Sequence, residues 1–155
     1  MSIEENIQTL WPQKFPTQHG EVSLSDIAAT HDKIVLYFYP KDNTPGCTTE
    51  AGDFEANLAA FTALNAAVVG VSRDSVGSHQ KFVDKLNLTF TLISDKESII
   101  CNAFDVIKEK NLYGKIGFGV ERSTFVLDQT GNILHEWRKV KVPEHVQTVL
   151  KTLQG

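Results

Sequence analysis

Ile34-Val35-Leu36-Tyr37-Phe38-Tyr39-Pro40-Lys41-Asp42-Asn43-Thr44-Pro45-Gly46-Cys47-Thr48-Thr49-Glu50 runs from six consecutive β-formers through a turn-rich loop into a helix start. The apolar run at 34–39, bounded by His31-Asp32-Lys33 and by Pro40, shows no alternation of polar and apolar positions. That is the pattern of a strand buried on both faces, hence a central parallel strand. Past the loop, Ala51, Phe54, Leu58, Phe61 and Leu64 recur at spacings of three and four. They predict one amphipathic helix over 48–64 that starts at or beside Cys47.

Outward from this unit the pattern repeats. Ala66–Ser72 is a second buried strand, Val76, Phe82, Val83 and Leu86 stripe a helix that begins beyond Asp74-Ser75, and 89–93 is a third strand. Ile100, Ala103, Phe104 and Ile107 mark a further helix, and 114–119 reads as a glycine-rich loop. Ser123–Leu127 and Ile133–Trp137 form an antiparallel hairpin across Asp128-Gln129-Thr130-Gly131-Asn132, and 143–153 closes the chain as a helix burying Val146, Val149, Leu150 and Leu153. The first twenty residues carry little periodicity, but Glu21-Val22-Ser23-Leu24 after His19-Gly20 suggests a short hairpin leading into a helical turn at Ser25-Asp26. The order predicts an α/β, thioredoxin-like fold: a mixed central sheet with helices on both faces and an N-terminal β-hairpin extension. With no repeat and no linker, residues 1–155 are expected to form a single domain.

Composition narrows the chemistry. The 155 residues are 41% hydrophobic and 22% charged, enough for one cored domain. Fifteen Lys and Arg against nineteen Asp and Glu give a net charge of −4 with no basic stripe, which removes the electrostatic footing for nucleic acid or an anionic membrane. Ser2-Ile3-Glu4-Glu5-Asn6 is acidic, and the apolar run at 34–39 is far too short to span a bilayer, so the cytoplasm is the expected location. Cys47 and Cys101 are too few for a disulfide scaffold or a four-ligand zinc site and are read as reduced thiols. His19, His31, His79, His135 and His145 show no ligand spacing, so we expect satisfied surface histidines, no metal and no cofactor.

The loop before Cys47 lies where open α/β sheets bind ligands, at the carboxyl end of a strand, with a helix N-terminus pointing free amides into it. Such a helix end favours the thiolate, the nucleophilic form of a cysteine. Pro45-Gly46 sets the turn that delivers Cys47 into the first helical turn, and the Thr44 hydroxyl can lie beside the sulfur as donor and acceptor. A cysteine at a helix start also fits simple core filling.

Pro40, Thr44 and Cys47 stand in a Pro-x-x-x-Thr-x-x-Cys pattern that resembles the peroxiredoxins. Tyr37-Phe38-Tyr39-Pro40-Lys41 and Thr44-Pro45-Gly46-Cys47-Thr48-Thr49-Glu50 are similar to the bacterioferritin comigratory protein, or peroxiredoxin Q, branch. The similarity extends through Val69-Gly70-Val71-Ser72, Leu92-Ile93-Ser94-Asp95 and Glu121-Arg122-Ser123-Thr124-Phe125, nearly the whole chain. The resemblance implies a thiol peroxidase in which Cys47 attacks hydrogen peroxide or an organic hydroperoxide and becomes a sulfenic acid. It implies that Arg122 stabilises the thiolate and orients the peroxide, that Thr44 and the Cys47 amide bond the two oxygens, that Pro40 shields the sulfur, and that Glu50 holds the arginine. Without the resemblance, Arg122 reads more readily as a surface strand arginine.

Many members of the branch carry a second, resolving cysteine five residues on; here that position is Gly52, and none stands near Phe82-Val83 either. Cys101 is the remaining thiol, on the flank of the Ile100, Phe104, Ile107 stripe, and reads as a half-buried structural thiol or as a resolving one. The first reading implies a one-cysteine cycle regenerated by thioredoxin or by glutaredoxin and glutathione; the second implies a Cys47–Cys101 disulfide. The resemblance further implies a monomer, with a weak dimer open. Cys-x-x-Cys thiol–disulfide exchange is a competing reading, but Glu50 stands where its second cysteine would be. A non-peroxidatic interaction domain on the same scaffold is another. The segment 114–119 does not fit a phosphate loop, since it precedes a strand rather than a helix; a mobile loop bordering the Cys47 site, with Tyr113 and Phe118 as an apolar wall, is the expectation.

Overall fold

The computed structural model describes residues 2–155, with position 112 described by its backbone alone. In chain order the elements are α1 (Ile3–Leu10), β1 (Lys14–Thr17), β2 (Gly20–Ser23), α2 (Leu24–Ala28), β3 (Lys33–Phe38), α3 (Pro45–Ala56), α4 (Leu58–Ala63), β4 (Ala66–Ser72), α5 (Val76–Leu86), β5 (Thr91–Ser94), α6 (Ile99–Ala103), β6 (Ile107–Leu112), β7 (Lys115–Val120), β8 (Ser123–Leu127), β9 (Ile133–Trp137) and α7 (His145–Gln154). Seven strands form one sheet in the order β2-β1-β5-β4-β3-β8-β9, and β6 pairs with β7 in a separate ribbon. β3, β4 and β5 run parallel, while β8 runs antiparallel to β3 and β1 to β5. β3 sits between β4 and β8 with Ile34 to Phe38 buried, which is why its sequence carries no polar alternation.

Alternate residues of β3 feed two cores. Ile34, Leu36 and Phe38 pack with Ile7, Leu24, Ile100, Cys101 and Phe104 beneath α1, α2 and α6. Val35, Tyr37 and Tyr39 pack with Cys47, Phe54, Phe61, Phe82 and Val149 beneath α3, α4, α5 and α7. The two cysteines therefore lie on opposite faces of the sheet.

Several elements depart from the local pattern. α1 stands where no helix is expected, although Ile3, Ile7, Leu10 and Trp11 recur at helical spacing: its Ser2 cap accepts from the Glu5 amide, and that apolar face packs into the core beside α6. The single helix expected over 48–64 breaks at Asn57, whose side-chain amide donates to the Asp53 carbonyl as the backbone leaves helical geometry. The helix expected through Ile107 ends at Ala103, because Asp105 takes a left-handed conformation (φ 55°) and Ile107 opens β6. The segment 114–119 is no loop. Tyr113 and Gly114, both at positive φ, form the two-residue turn of the β6–β7 hairpin, and Gly117 and Gly119 hide the strand alternation by carrying no side chains. His79 and His145 are buried core residues rather than surface ones.

Gly70 in β4 is a close-approach position: a Cβ there would stand 2.7 Å from Leu92 Cδ2 and 2.9 Å from Tyr37 Cζ. Gly70→Ala should therefore overpack the core beside Cys47 and destabilise the protein by about 1–3 kcal/mol, read from urea unfolding at constant m. An unchanged midpoint would contradict this packing.

Candidate active site

Two chain segments far apart in sequence meet because of one strand pairing. α3 begins beyond the carboxyl end of β3, and β8 starts beside that same end, with Phe38 opposite Ser123. Arg122, the residue before β8, is thereby carried to the first turn of α3. Its Nη2 donates to Cys47 Sγ at 3.3 Å across 75 positions of sequence, and its Nη1 donates to Glu50 Oε1 at 2.6 Å. Glu50 follows Cys47 by three residues, so helical geometry puts both side chains on the face that Arg122 approaches. Gly46 makes room: a Cβ there would lie 3.2 Å from Arg122 Nη2.

The trio is enclosed. Cys47 is 2% exposed, Glu50 has no exposure, and the Arg122 side chain retains 16%. Glu50 Oε2 and the neighbouring Tyr37 hydroxyl are buried without a hydrogen-bond partner. Burial, only partly offset by the Arg122 guanidinium, pushes the Glu50 carboxyl up to about 7. Although burial works against the Arg122 charge, Glu50 and Cys47 together raise its affinity for the proton above the ordinary value. His145 is pushed down to about 4 by burial and then by Arg122, so it is a neutral ring bonded to the Thr124 hydroxyl at 2.8 Å.

Thr44 is the N-cap residue of α3, yet it caps with its carbonyl, which accepts from the Thr48 amide at 2.8 Å. Its hydroxyl donates to the Lys41 carbonyl at 3.0 Å, so the oxygen lone pairs remain as acceptors. With no side-chain cap, the first-turn amides, that of Cys47 included, are not covered by Thr44. Pro40 is half-buried and lines, with Lys41, Arg73, Lys110, Ile116 and Phe118, a groove of about 490 Å³ under the β6–β7 hairpin. Tyr113 is fully exposed at the hairpin tip and forms no wall of this groove.

Cys101 does not join the site. It is fully buried in the other core, its amide donates to Asp95 Oδ2 at 2.8 Å, and burial, followed by the Asp95 charge, pushes its thiol far above the ordinary range. Full burial replaces the half-buried position expected from its helical flank. Asp42, Asp74 and His79 offer ligand atoms within 4.8 Å of one another. Those atoms are already engaged: Asp74 Oδ2 accepts from the Asp42 amide and from Ser72 Oγ, and Asp42 Oδ2 accepts from Ser78 Oγ while facing His79 Nδ1 at 2.7 Å. The set is a hydrogen-bond network rather than a cation cage. It was invisible in the sequence because its members come from two loops and a helix with no spacing rule between them.

The AhpC/TSA family model matches residues 10–136. The chain belongs to the AhpC/TSA family. Peroxiredoxin Bcp of Xanthomonas campestris pv. campestris is 54% identical over 122 residues, covering 79% of this chain and 76% of that protein. Peroxiredoxin Bcp of Bacillus subtilis is 53% identical over 137 residues, covering 88% and 86%. The solved structure of Xanthomonas campestris peroxiredoxin Q superposes with a TM-score of 0.88 at 48% identity, over 94% of this chain and 92% of that one. Another structure with a TM-score of 0.88, at 47% identity over the same shares, is of the Xanthomonas campestris bacterioferritin comigratory protein and concerns that protein's alkyl peroxide reduction activity. This peroxiredoxin of the Bcp/peroxiredoxin Q branch is thus a thioredoxin-fold thiol peroxidase, reducing peroxides at the expense of a thiol reductant. Among the described residues no helix is long and apolar enough to cross a membrane.

The buried carboxyl gives the peroxiredoxin a pH signature in its stability. A carboxyl raised to about 7 in the folded state, from an ordinary 4.5, stabilises the fold below 4.5 and loses that contribution as pH climbs through 7. Glu50→Gln mimics the protonated form, so its stability relative to wild type should shift upward by about 3 kcal/mol between pH 4.5 and 7.5 and then level off. Paired urea titrations across that range measure it; a pH-independent difference would contradict the raised carboxyl.

Proposed function

We propose that Cys47 is the peroxidatic nucleophile of this chain, and the observation that carries the reading is the 3.3 Å contact between Arg122 Nη2 and Cys47 Sγ. A guanidinium in that place favours the thiolate over the thiol and presents a fixed donor to the charge that develops on the departing oxygen. The thiolate attacks the terminal oxygen of R–O–O–H. The S–O bond forms as the O–O bond breaks, the sulfur keeps the OH as a sulfenic acid, and the released alkoxide or hydroxide takes a proton from solvent. Sulfur is oxidised and the peroxide reduced. Thr44 Oγ1, with its hydrogen committed to Lys41, is placed to accept the peroxide O–H, and the Cys47 amide to donate to the other oxygen. Glu50 aims the guanidinium, and Pro40 covers the sulfur from bulk water. Hydrogen peroxide and alkyl hydroperoxides are the proposed substrates, the latter supported by the Ile116 and Phe118 side chains beside Pro40 and by the activity of the Xanthomonas campestris relative.

The proposed cycle uses one cysteine. Cys101 lies beneath the opposite face of the sheet, buried and disfavoured as a thiolate, and position 52 is glycine. The sulfenic acid is then attacked by an external thiol, releasing water and leaving a mixed disulfide that a second thiol reduces, with thioredoxin or glutaredoxin and glutathione as reductants. The chain is proposed to act as a single-domain monomer, and the need for a thiol pool fits the cytoplasm.

Cys47→Ser should abolish peroxide consumption with the unfolding midpoint retained. Arg122→Ala should lower kcat/KM for peroxide by about a hundredfold or more and slow Cys47 alkylation at fixed pH; wild-type turnover in either variant would refute the assignment. After one equivalent of peroxide without reductant, non-reducing intact mass should show the gain of one oxygen atom. Loss of two hydrogens instead, from a Cys47–Cys101 disulfide, would establish the two-cysteine cycle.

A further inference from the structure

The loop that delivers Cys47 is anchored by a buried network that the peroxidase chemistry does not use. Tyr39, Asp42 and His79 are 1%, 6% and 0% exposed. Asp42 Oδ1 accepts from the Tyr39 hydroxyl at 2.6 Å, and Asp42 Oδ2 accepts from Ser78 Oγ at 2.8 Å and faces His79 Nδ1 at 2.7 Å. The other ring nitrogen, His79 Nε2, faces the Ile93 carbonyl at 3.0 Å. A carbonyl only accepts, so Nε2 carries a hydrogen. The Nδ1–Oδ2 contact then needs a second proton, on His79 or on Asp42. Burial works against the Asp42 carboxylate, yet the bonds from His79, Tyr39 and Ser78 hold it below its ordinary value. The His79 ring bridges the Asp42 loop to β5. The remaining charged group on the network is Asp74, beyond β4, whose Oδ2 accepts from the Asp42 amide at 2.8 Å.

We propose that Asp42 and His79 are positioning residues for peroxide reduction, their buried pair fixing the 40–43 loop to α5 and β5 so that the first turn of α3 holds Cys47 against Arg122. The proposal rests on Cys47 being the nucleophile. Asp42 lies two residues before the N-cap Thr44 and five before Cys47, so a loop shift there is delivered to the amides and sulfur of the site. A buried ion pair adds little net stability over apolar packing of the same volume. What four directional bonds on one carboxylate and one ring supply is a single loop position.

The test compares wild type, Asp42→Asn, His79→Gln and the double variant in two reactions. One is kcat/KM for hydrogen peroxide, which needs an oriented peroxide; the other is Cys47 alkylation by iodoacetamide, which needs only an accessible thiolate. Each single variant should lower kcat/KM by about tenfold or more, with alkylation slowed as in Arg122→Ala but by less, and the double variant should be no worse than the poorer single one because both act through one pair. Folded variants with wild-type kcat/KM, or single losses that multiply in the double, would overturn the proposal. Should the variants not fold, Ser78→Ala, which removes one donor to Asp42 from the half-buried face of α5, should still lower kcat/KM by about fivefold; an unchanged value would count against it. In the unaltered protein, 1H–15N NMR should show slowly exchanging, hydrogen-bonded protons on the His79 ring, and ring protons that exchange freely with solvent would overturn the buried pair. Cys47→Ser, run alongside, separates the two readings: turnover in that variant refutes the nucleophile, whereas its loss with active Asp42 variants refutes only the positioning.

Discussion

A guanidinium shared between a sulfur and a carboxylate, all three withdrawn from water, is the constraint around which this end of the molecule is built. The carboxylate alone would be costly there, as the upward push on Glu50 and its unpartnered Oε2 show. Arg122 offsets that cost only if it arrives within hydrogen-bond reach, and it arrives because β8 pairs antiparallel with β3 in the register that sets Ser123 opposite Phe38. Gly46 then keeps the approach open. Strand register, turn residue and ion pair are parts of one geometric requirement, and the chemistry proposed at Cys47 inherits it.

The sheet has a second consequence, for redox behaviour. Because successive residues of β3 face opposite ways, one strand feeds both cores, and the same layer that supports Cys47 from below screens it from Cys101. Two thiols in one small domain thus differ in kind. One sits beside the Arg122 guanidinium; the other sits beside the Asp95 carboxylate in an apolar interior, where a thiolate is disfavoured. That separation is the structural basis for the proposed one-cysteine cycle.

The anchoring of the Cys47 loop completes the picture from the other side. Arg122 approaches α3 from β8, while Asp42 ties the preceding loop to α5 and, through His79, to β5. The first turn of α3 is held between these two sets of contacts, both directional and both buried.

How much of this could be read from the chain follows from the range of the interactions. The apolar run at 34–39, the Pro45-Gly46 turn and the spacing of Ala51 and Phe54 are local signals, and with the resemblance carried by Pro40, Thr44, Cys47 and Arg122 they determined the α/β fold and the candidate site residues. Periodicity misled where it is broken or erased: Asn57 divides a helix that the spacing of apolar residues would continue, and the glycines of β7 erase the alternation of a strand. The Asp42–His79 pair, joining residues 37 positions apart, had no signal in the sequence. The sequence by itself determined that Cys47 stands at the start of the helix that follows the first buried strand and that position 52 offers no second thiol. Only the tertiary structure decided that Cys101 lies behind the sheet and that Glu50, Arg122 and Cys47 share one buried cluster, because strand pairing and burial, not spacing along the chain, bring such groups together or keep them apart.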